Sequence, residues 1–119
     1  MSTHNESVIT NFFLTEFIST AKNQSHFYST RVTAIYGIES VFTSCNNKDS
    51  IKDLFMTTLI FFTKDPNSNI RFVAVKVLHN LATQKPFSEY NDFAKKVFTE
   101  IKDAERDSET KFLINDFLK

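Results

Sequence analysis

The chain has 119 residues with 14 basic and 14 acidic side chains, so its formal net charge is zero. That length suits one domain, and a neutral chain without a basic run does not support a nucleic-acid-binding surface. One glycine and two prolines disfavour a turn-rich all-β fold and exclude a glycine-rich phosphate loop, and the single cysteine excludes a disulfide framework or a thiolate metal cluster.

The first third of the chain predicts two helices. Over residues 6–22 apolar side chains recur at four-residue spacing, as at Phe13 and Phe17, which is typical of a helix face. A second helix is predicted over 28–44, with Arg31 in its first turn. The N-terminus has no basic segment before its apolar part, so no secretory signal is predicted and we expect a cytoplasmic or nuclear protein.

The middle third predicts a second pair of helices, over 50–64 and 69–83. Ser50 followed by Asp53 forms the acidic variant of a capping box at the start of this pair. The longest apolar stretch, 54–62, contains two threonines and is too short to cross a bilayer, so no membrane segment is predicted.

The last third predicts a third pair of helices, over 89–103 and 107–118. Ser88 and Asp107-Ser108 are the expected N-caps of these two helices, because their side chains can accept a hydrogen bond from the first turn. The predicted fold is therefore all-α, with six helices in three antiparallel pairs.

Three segments of similar sequence recur at an interval of 40 residues. YSTRVTAIYGIESV begins at residue 28, SNIRFVAVKVLHNL at residue 68 and SETKFLINDFLK at residue 108. Two-helix units of about 40 residues are typical of HEAT repeats. We therefore predict one domain over 1–119, an α-solenoid of three HEAT-like pairs at about 6–44, 50–83 and 89–118.

A basic residue holds the same place in each copy: Arg31, Arg71 and Lys111. Six positions earlier lies Asp65 in the second copy and Glu105 in the third, whereas the first copy lacks the acid. Stacked repeats would bring these acids and bases into a ladder along the solenoid. The alternative is that Arg71 is simply a solvated residue at a helix start. In both cases the predicted role is structural rather than catalytic.

The segment DPNSNIRFVAVKVLHNLA, residues 65–82, resembles a HEAT repeat of the scaffolding A subunit of protein phosphatase type-two-A. The copy from Tyr28 resembles the preceding repeat of that scaffold, and residues 105–118 resemble its final repeat. The resemblance therefore covers the chain from about Val8 onward. The family is a long solenoid of many repeats, so a three-repeat chain is expected to be a C-terminal piece or a shortened protein.

The resemblance implies a protein partner and no reaction. In the family, the turns inside the last repeats form a ridge that holds a serine/threonine phosphatase catalytic subunit. The matching positions here are Tyr28, Pro66 and Asn67, and Phe27 is added as the aromatic neighbour of Tyr28. We expect a non-catalytic scaffold that binds the phosphatase through these side chains. Packing of Tyr28 against its own repeat is the alternative.

Two other functional classes stay open. A HEAT-type adaptor or transport module would bind peptides or proteins on its concave face. A HEAT-like DNA-repair enzyme would need a basic, aromatic-lined groove, which the zero net charge and the absence of tryptophan disfavour. No cofactor, metal site or catalytic group is predicted: the three histidines are far apart in sequence, and Cys45 has no nearby base. His79 is expected to be half-buried with a partner.

Apolar residues at both ends of the chain predict surfaces that another molecule covers. The first helix carries Phe12, Phe13 and Phe17, which a single neighbouring helix cannot bury together. The last helix carries Phe112 and Phe117 among other apolar residues. Because an uncapped end of a repeat array exposes apolar surface, we expect another chain, or self-association, to cover one of these ends.

Overall fold

A computed structural model describes residues 3–45, 49, 51–84 and 87–119, and within these ranges all regular structure is helical. The α-helices are α1 (Thr3–Lys22), α2 (Tyr28–Ser44), α3 (Lys52–Phe62), α4 (Ser68–Thr83), α5 (Asn91–Ile101) and α6 (Ser108–Leu118), with a 3-10 helix at Phe87–Tyr90. The all-α prediction is confirmed. The arrangement of the helix pairs as a solenoid stays a prediction.

The ends of the helices reflect how each one is capped. Asn67 accepts a hydrogen bond from Asn69 N at 2.8 Å, and Asp107 accepts one from Thr110 N at 3.0 Å, as expected of N-caps. The N-cap of α5 is Tyr90, not Ser88, because the 3-10 helix fills the space where α5 was predicted to begin. The predicted capping box at Ser50 lies outside the described residues.

The chain divides into two compact units, Met1–Thr58 and Leu59–Lys119, and the boundary falls within α3. A single domain over 1–119 stays a prediction. None of the helices in the described ranges is long and apolar enough to cross a membrane.

In the first unit, α1 packs along α2. Leu14, Ile18 and Ala21 lie one helical turn apart and are buried, which places them on one face of α1. Close approach is helped by Gly37: a Cβ atom there would lie 2.9 Å from Cε1 of Phe17. The absence of a side chain in α2 therefore makes room for an aromatic ring of α1.

In the second unit, α4 contacts α5, α6 and the 3-10 helix. Its apolar side chains are buried on more than one face, as expected of a helix at the centre of a unit: Ile70, Val73, Ala74, Val75, Val77, Leu78, Leu81 and Ala82. The ring of Phe117 in α6 lies edge-on to Phe98 in α5, with centroids 5.2 Å apart. This core fixes the two turns α3–α4 and α5–α6.

Candidate partner-binding surface

The turn between α1 and α2 presents two aromatic side chains. Phe27 is 85% exposed and Tyr28 is 54% exposed, so this turn carries much of the accessible aromatic surface of the first unit. The backbone there is shaped by polar contacts, since Ser25 N donates to the Asn23 side chain at 2.9 Å and His26 N donates to the Asn23 carbonyl at 3.1 Å. Tyr28 is therefore accessible to another molecule.

Arg31 ties this turn to the helix before it. Its side chain is buried, and Nε donates to the carbonyl oxygen of Ala21 at 2.7 Å. Nη1 lies 3.5 Å from Oε1 of Gln24. The guanidinium group thus joins the first turn of α2 to the last turn of α1.

The turn between α3 and α4 is ordered by Asp65. Its carboxylate is buried and accepts a hydrogen bond from Asn67 N at 2.9 Å. Asn67 in turn caps α4, so its amide oxygen is engaged with the backbone of its own chain. Pro66 lies between them and is exposed. Of the two binding residues predicted here, Pro66 offers open surface, and Asn67 has a structural task as well.

The turn between α5 and α6 repeats the same chemistry with Glu105. This carboxylate accepts hydrogen bonds from Arg106 N at 3.1 Å and from Asp107 N at 3.0 Å. Asp107 then caps α6, and its pKa lies below the ordinary carboxyl value, chiefly because Thr110 N donates to it and then because the Thr110 hydroxyl does. An acid followed two residues later by a capping residue is thus common to both turns of the second unit.

Arg71 joins these two turns. Its Nε lies 3.0 Å from Oε1 of Glu105, 34 residues along the chain, and Nη2 lies 3.2 Å from Oε2. Nη1 donates to the carbonyl oxygens of Asp65 at 2.9 Å and of Pro66 at 3.1 Å. The Glu105 side chain is only 2% exposed and that of Arg71 20%. Arg71 is therefore not a solvated residue at a helix start.

The wider ladder of Arg31, Asp65, Arg71, Glu105 and Lys111 stays a prediction, of which the structure displays the Arg71–Glu105 contact. Lys111 is exposed on α6. The base of the third copy therefore differs from Arg31 and Arg71, whose guanidinium groups bond to backbone carbonyls.

A groove of about 460 Å³ lies between the two turns of the second unit. Its lining comes from the end of α3 and the following turn, from Arg71, and from the end of α5 and its turn: Thr63, Lys64, Asp65, Pro66, Arg71, Glu100, Ile101, Ala104, Glu105 and Arg106. The predicted residue Pro66 therefore borders a concave surface. The predicted aromatic residues Phe27 and Tyr28 belong to the first unit.

Lys64, Glu100 and Arg106 line this groove and were missed by reasoning from sequence. All three are exposed. A usable signal was present, because Lys64 directly precedes the ladder acid Asp65 and Arg106 directly follows Glu105. A basic residue next to each buried acid is thus placed at the rim of the same groove.

Other candidate chemical groups have ordinary surroundings. His79 is partly buried, with Nε2 at 3.5 Å from Oδ2 of Asp116 and its ring against Phe117. Cys45 is buried at the end of α2. Within the described ranges, no three histidine, cysteine or acidic side chains come together in a way that could hold a metal ion.

The chain was compared with protein-family models, curated proteins and solved structures. No protein-family model matches the chain, and neither a curated protein nor a solved structure matches it. The resemblance to the phosphatase scaffold therefore rests on the residues of the three copies alone.

Proposed function

We propose that this chain is a non-catalytic scaffold or regulatory subunit that binds a serine/threonine protein phosphatase catalytic subunit through the turns within its helix pairs. The observation that carries the proposal is the exposure of Phe27 and Tyr28 on a turn that a buried arginine, Arg31, ties down. Aromatic side chains on an ordered backbone are favoured anchors of protein interfaces, because little conformational entropy is lost when they bind.

The second unit supports the same type of function. Its two turns are ordered by buried carboxylates and by one guanidinium group, and they leave Pro66 and Arg106 exposed. Hydrogen bonds within the protein thus set the shape of the turns, and exposed side chains remain for contact with a partner. The proposed mechanism is positioning of the phosphatase rather than chemistry on a substrate.

The test is retention of a purified phosphatase type-two-A catalytic subunit by the immobilised chain. The Tyr28→Ala and Phe27→Ser variants should together weaken retention at least about 30-fold, since even one buried aromatic anchor contributes about 2 kcal/mol or more. Asn67 is changed to Ser rather than Ala so that the cap of α4 is kept. Tyr36→Ala and Phe112→Ser are matched controls, because both exposed rings belong to helices, α2 and α6, rather than to a turn.

Three outcomes separate the functional classes. Loss of retention only in the turn variants supports the scaffold. Equal loss in the Tyr36 and Phe112 controls would place the contact elsewhere. Absence of any retention by the unmodified chain would remove the phosphatase assignment and favour the alternative of an adaptor that binds other proteins.

A further inference from the structure

The groove in the second unit is lined in part by charged side chains that form no ion pair within the described residues. Lys64, Glu100 and Arg106 line it and are exposed. None of the three forms an ion pair within the part of the chain that the structure describes. The groove therefore presents two accessible cationic groups and one accessible carboxylate.

The remaining charged residues of the groove are directed inward. Arg71 pairs with Glu105, whose side chain is almost fully buried and also accepts two backbone N–H groups. Asp65 is buried as well, and its carboxylate is bonded to Asn67 N. A molecule entering the groove would thus meet the positive charges of Lys64 and Arg106 more readily than either buried acid.

The groove also has an apolar lining. Pro66 and Ala104 are exposed in it, and Ile101 is buried. The volume, about 460 Å³, suits a few side chains of an extended segment. A bare anion would leave the apolar lining uncovered.

We propose that this groove binds an extended acidic segment of a protein partner, with an apolar side chain on Pro66 and Ala104 and carboxylates beside Lys64 and Arg106. The charge of the accessible rim selects acidic over basic segments, because like charges at an interface are unfavourable. This rests on the proposed function, that the turns of the helix pairs hold a partner, and it names the chemistry that the second unit would recognise.

The experiment follows amide signals of the 15N-labelled full chain by NMR while peptides are added. Three short peptides share a central leucine and carry glutamate, glutamine or lysine on both sides of it. The glutamate peptide should shift the signals of Lys64, Ala104 and Arg106, and its affinity should fall as salt is raised. The glutamine peptide should bind about two- to thirtyfold more weakly, which is the range that two exposed ion pairs give.

Charge reversal supplies the matched variants. Lys64→Glu with Arg106→Glu should lose the preference for the glutamate peptide and prefer the lysine peptide. Lys76→Glu with Lys95→Glu changes two exposed lysines of the same unit outside the groove and should leave the preference unchanged. Equal affinity for all three peptides, shifts outside the groove, or loss of preference in both double variants would overturn the proposal.

Failure here is distinguishable from failure of the phosphatase assignment. If the catalytic subunit is retained through Phe27 and Tyr28 and no peptide preference is found, the acidic-segment proposal is wrong and the scaffold stands. If the glutamate peptide binds as described and the catalytic subunit is not retained, the groove stands and its partner is another protein.

Discussion

Removing Arg71 tests how strongly the two turns of the second unit are held together. The Arg71→Ala variant leaves the Glu105 carboxylate without its cation in a site where that side chain is 2% exposed. Removing one partner of a buried ion pair costs about 3–5 kcal/mol. Two backbone N–H groups still bond to this carboxylate, and water can enter where Arg71, itself 20% exposed, has been removed. We therefore expect a loss of about 2–3 kcal/mol in the free energy of unfolding.

The Glu105→Ala variant leaves behind the guanidinium group of Arg71, which water can reach because that side chain is 20% exposed. It deprives Arg71 of a carboxylate and two backbone N–H groups of their acceptor. A loss of about 3 kcal/mol is expected. The double variant should cost less than the sum of the two single changes by about 1.5 kcal/mol or more, because the pair is broken only once.

Urea unfolding followed by far-ultraviolet circular dichroism at pH 7 measures these free energies. The pair His79–Asp116 is the internal comparison: it is 3.5 Å apart with Asp116 48% exposed, so its coupling should stay below about 0.5–1 kcal/mol. Arg106→Ala controls for loss of an exposed arginine. Costs of Arg71→Ala and Glu105→Ala that add within about 0.5 kcal/mol would refute the reasoning.

Three further perturbations are predicted. Gly37→Leu should destabilise by about 1–3 kcal/mol in thermal or urea unfolding, whereas Gly37→Ala should cost less, because the Phe17 ring can turn aside and alanine favours the helix. Because the pKa of Asp107 is lowered in the folded protein, its ionised cap stabilises the fold at pH values above the ordinary carboxyl pKa. The difference in the free energy of unfolding between the wild type and Asp107→Ala should therefore narrow as the pH falls below about 4. If the exposed rings of α1 are covered by a second copy, Phe12→Ser with Phe13→Ser should abolish concentration-dependent association in sedimentation equilibrium, and a wild type that stays monomeric would contradict this.

The helices could be predicted closely where their ends have a local cause. α2 begins at the expected residue, and α4 and α6 begin within one residue of the expected start, because an acidic or amide cap stands directly before each of the latter two. The start of α5 could not be predicted so well. Its first turn is replaced by a 3-10 helix at Phe87–Tyr90, and the choice between two helical hydrogen-bond patterns has little effect on apolar spacing.

The sequence predicted where the candidate site lies, but not which hydrogen bonds its side chains form. The period of 40 residues placed Arg71 beside the turns, yet it could not decide whether the guanidinium group would bond its own turn or that of the next copy. The structure has both, through the Asp65 carbonyl and the Glu105 carboxylate. Lys64 and Arg106 were missed because their side chains are exposed, so that no apolar pattern marks them, and their positions next to Asp65 and Glu105 were the available signal.

In the proposed scaffold, different residues of each turn would serve folding and partner binding. In each of the three turns, a side-chain oxygen accepts a hydrogen bond from the backbone N–H two residues later. Asn23 accepts from Ser25 N, Asp65 from Asn67 N and Glu105 from Asp107 N. These bonds fix the backbone without using the side chains of Tyr28, Pro66 or Arg106, which stay exposed. Substitutions at those exposed positions would therefore alter the partner surface at little cost in stability, which is the property that a binding scaffold built from repeated turns requires.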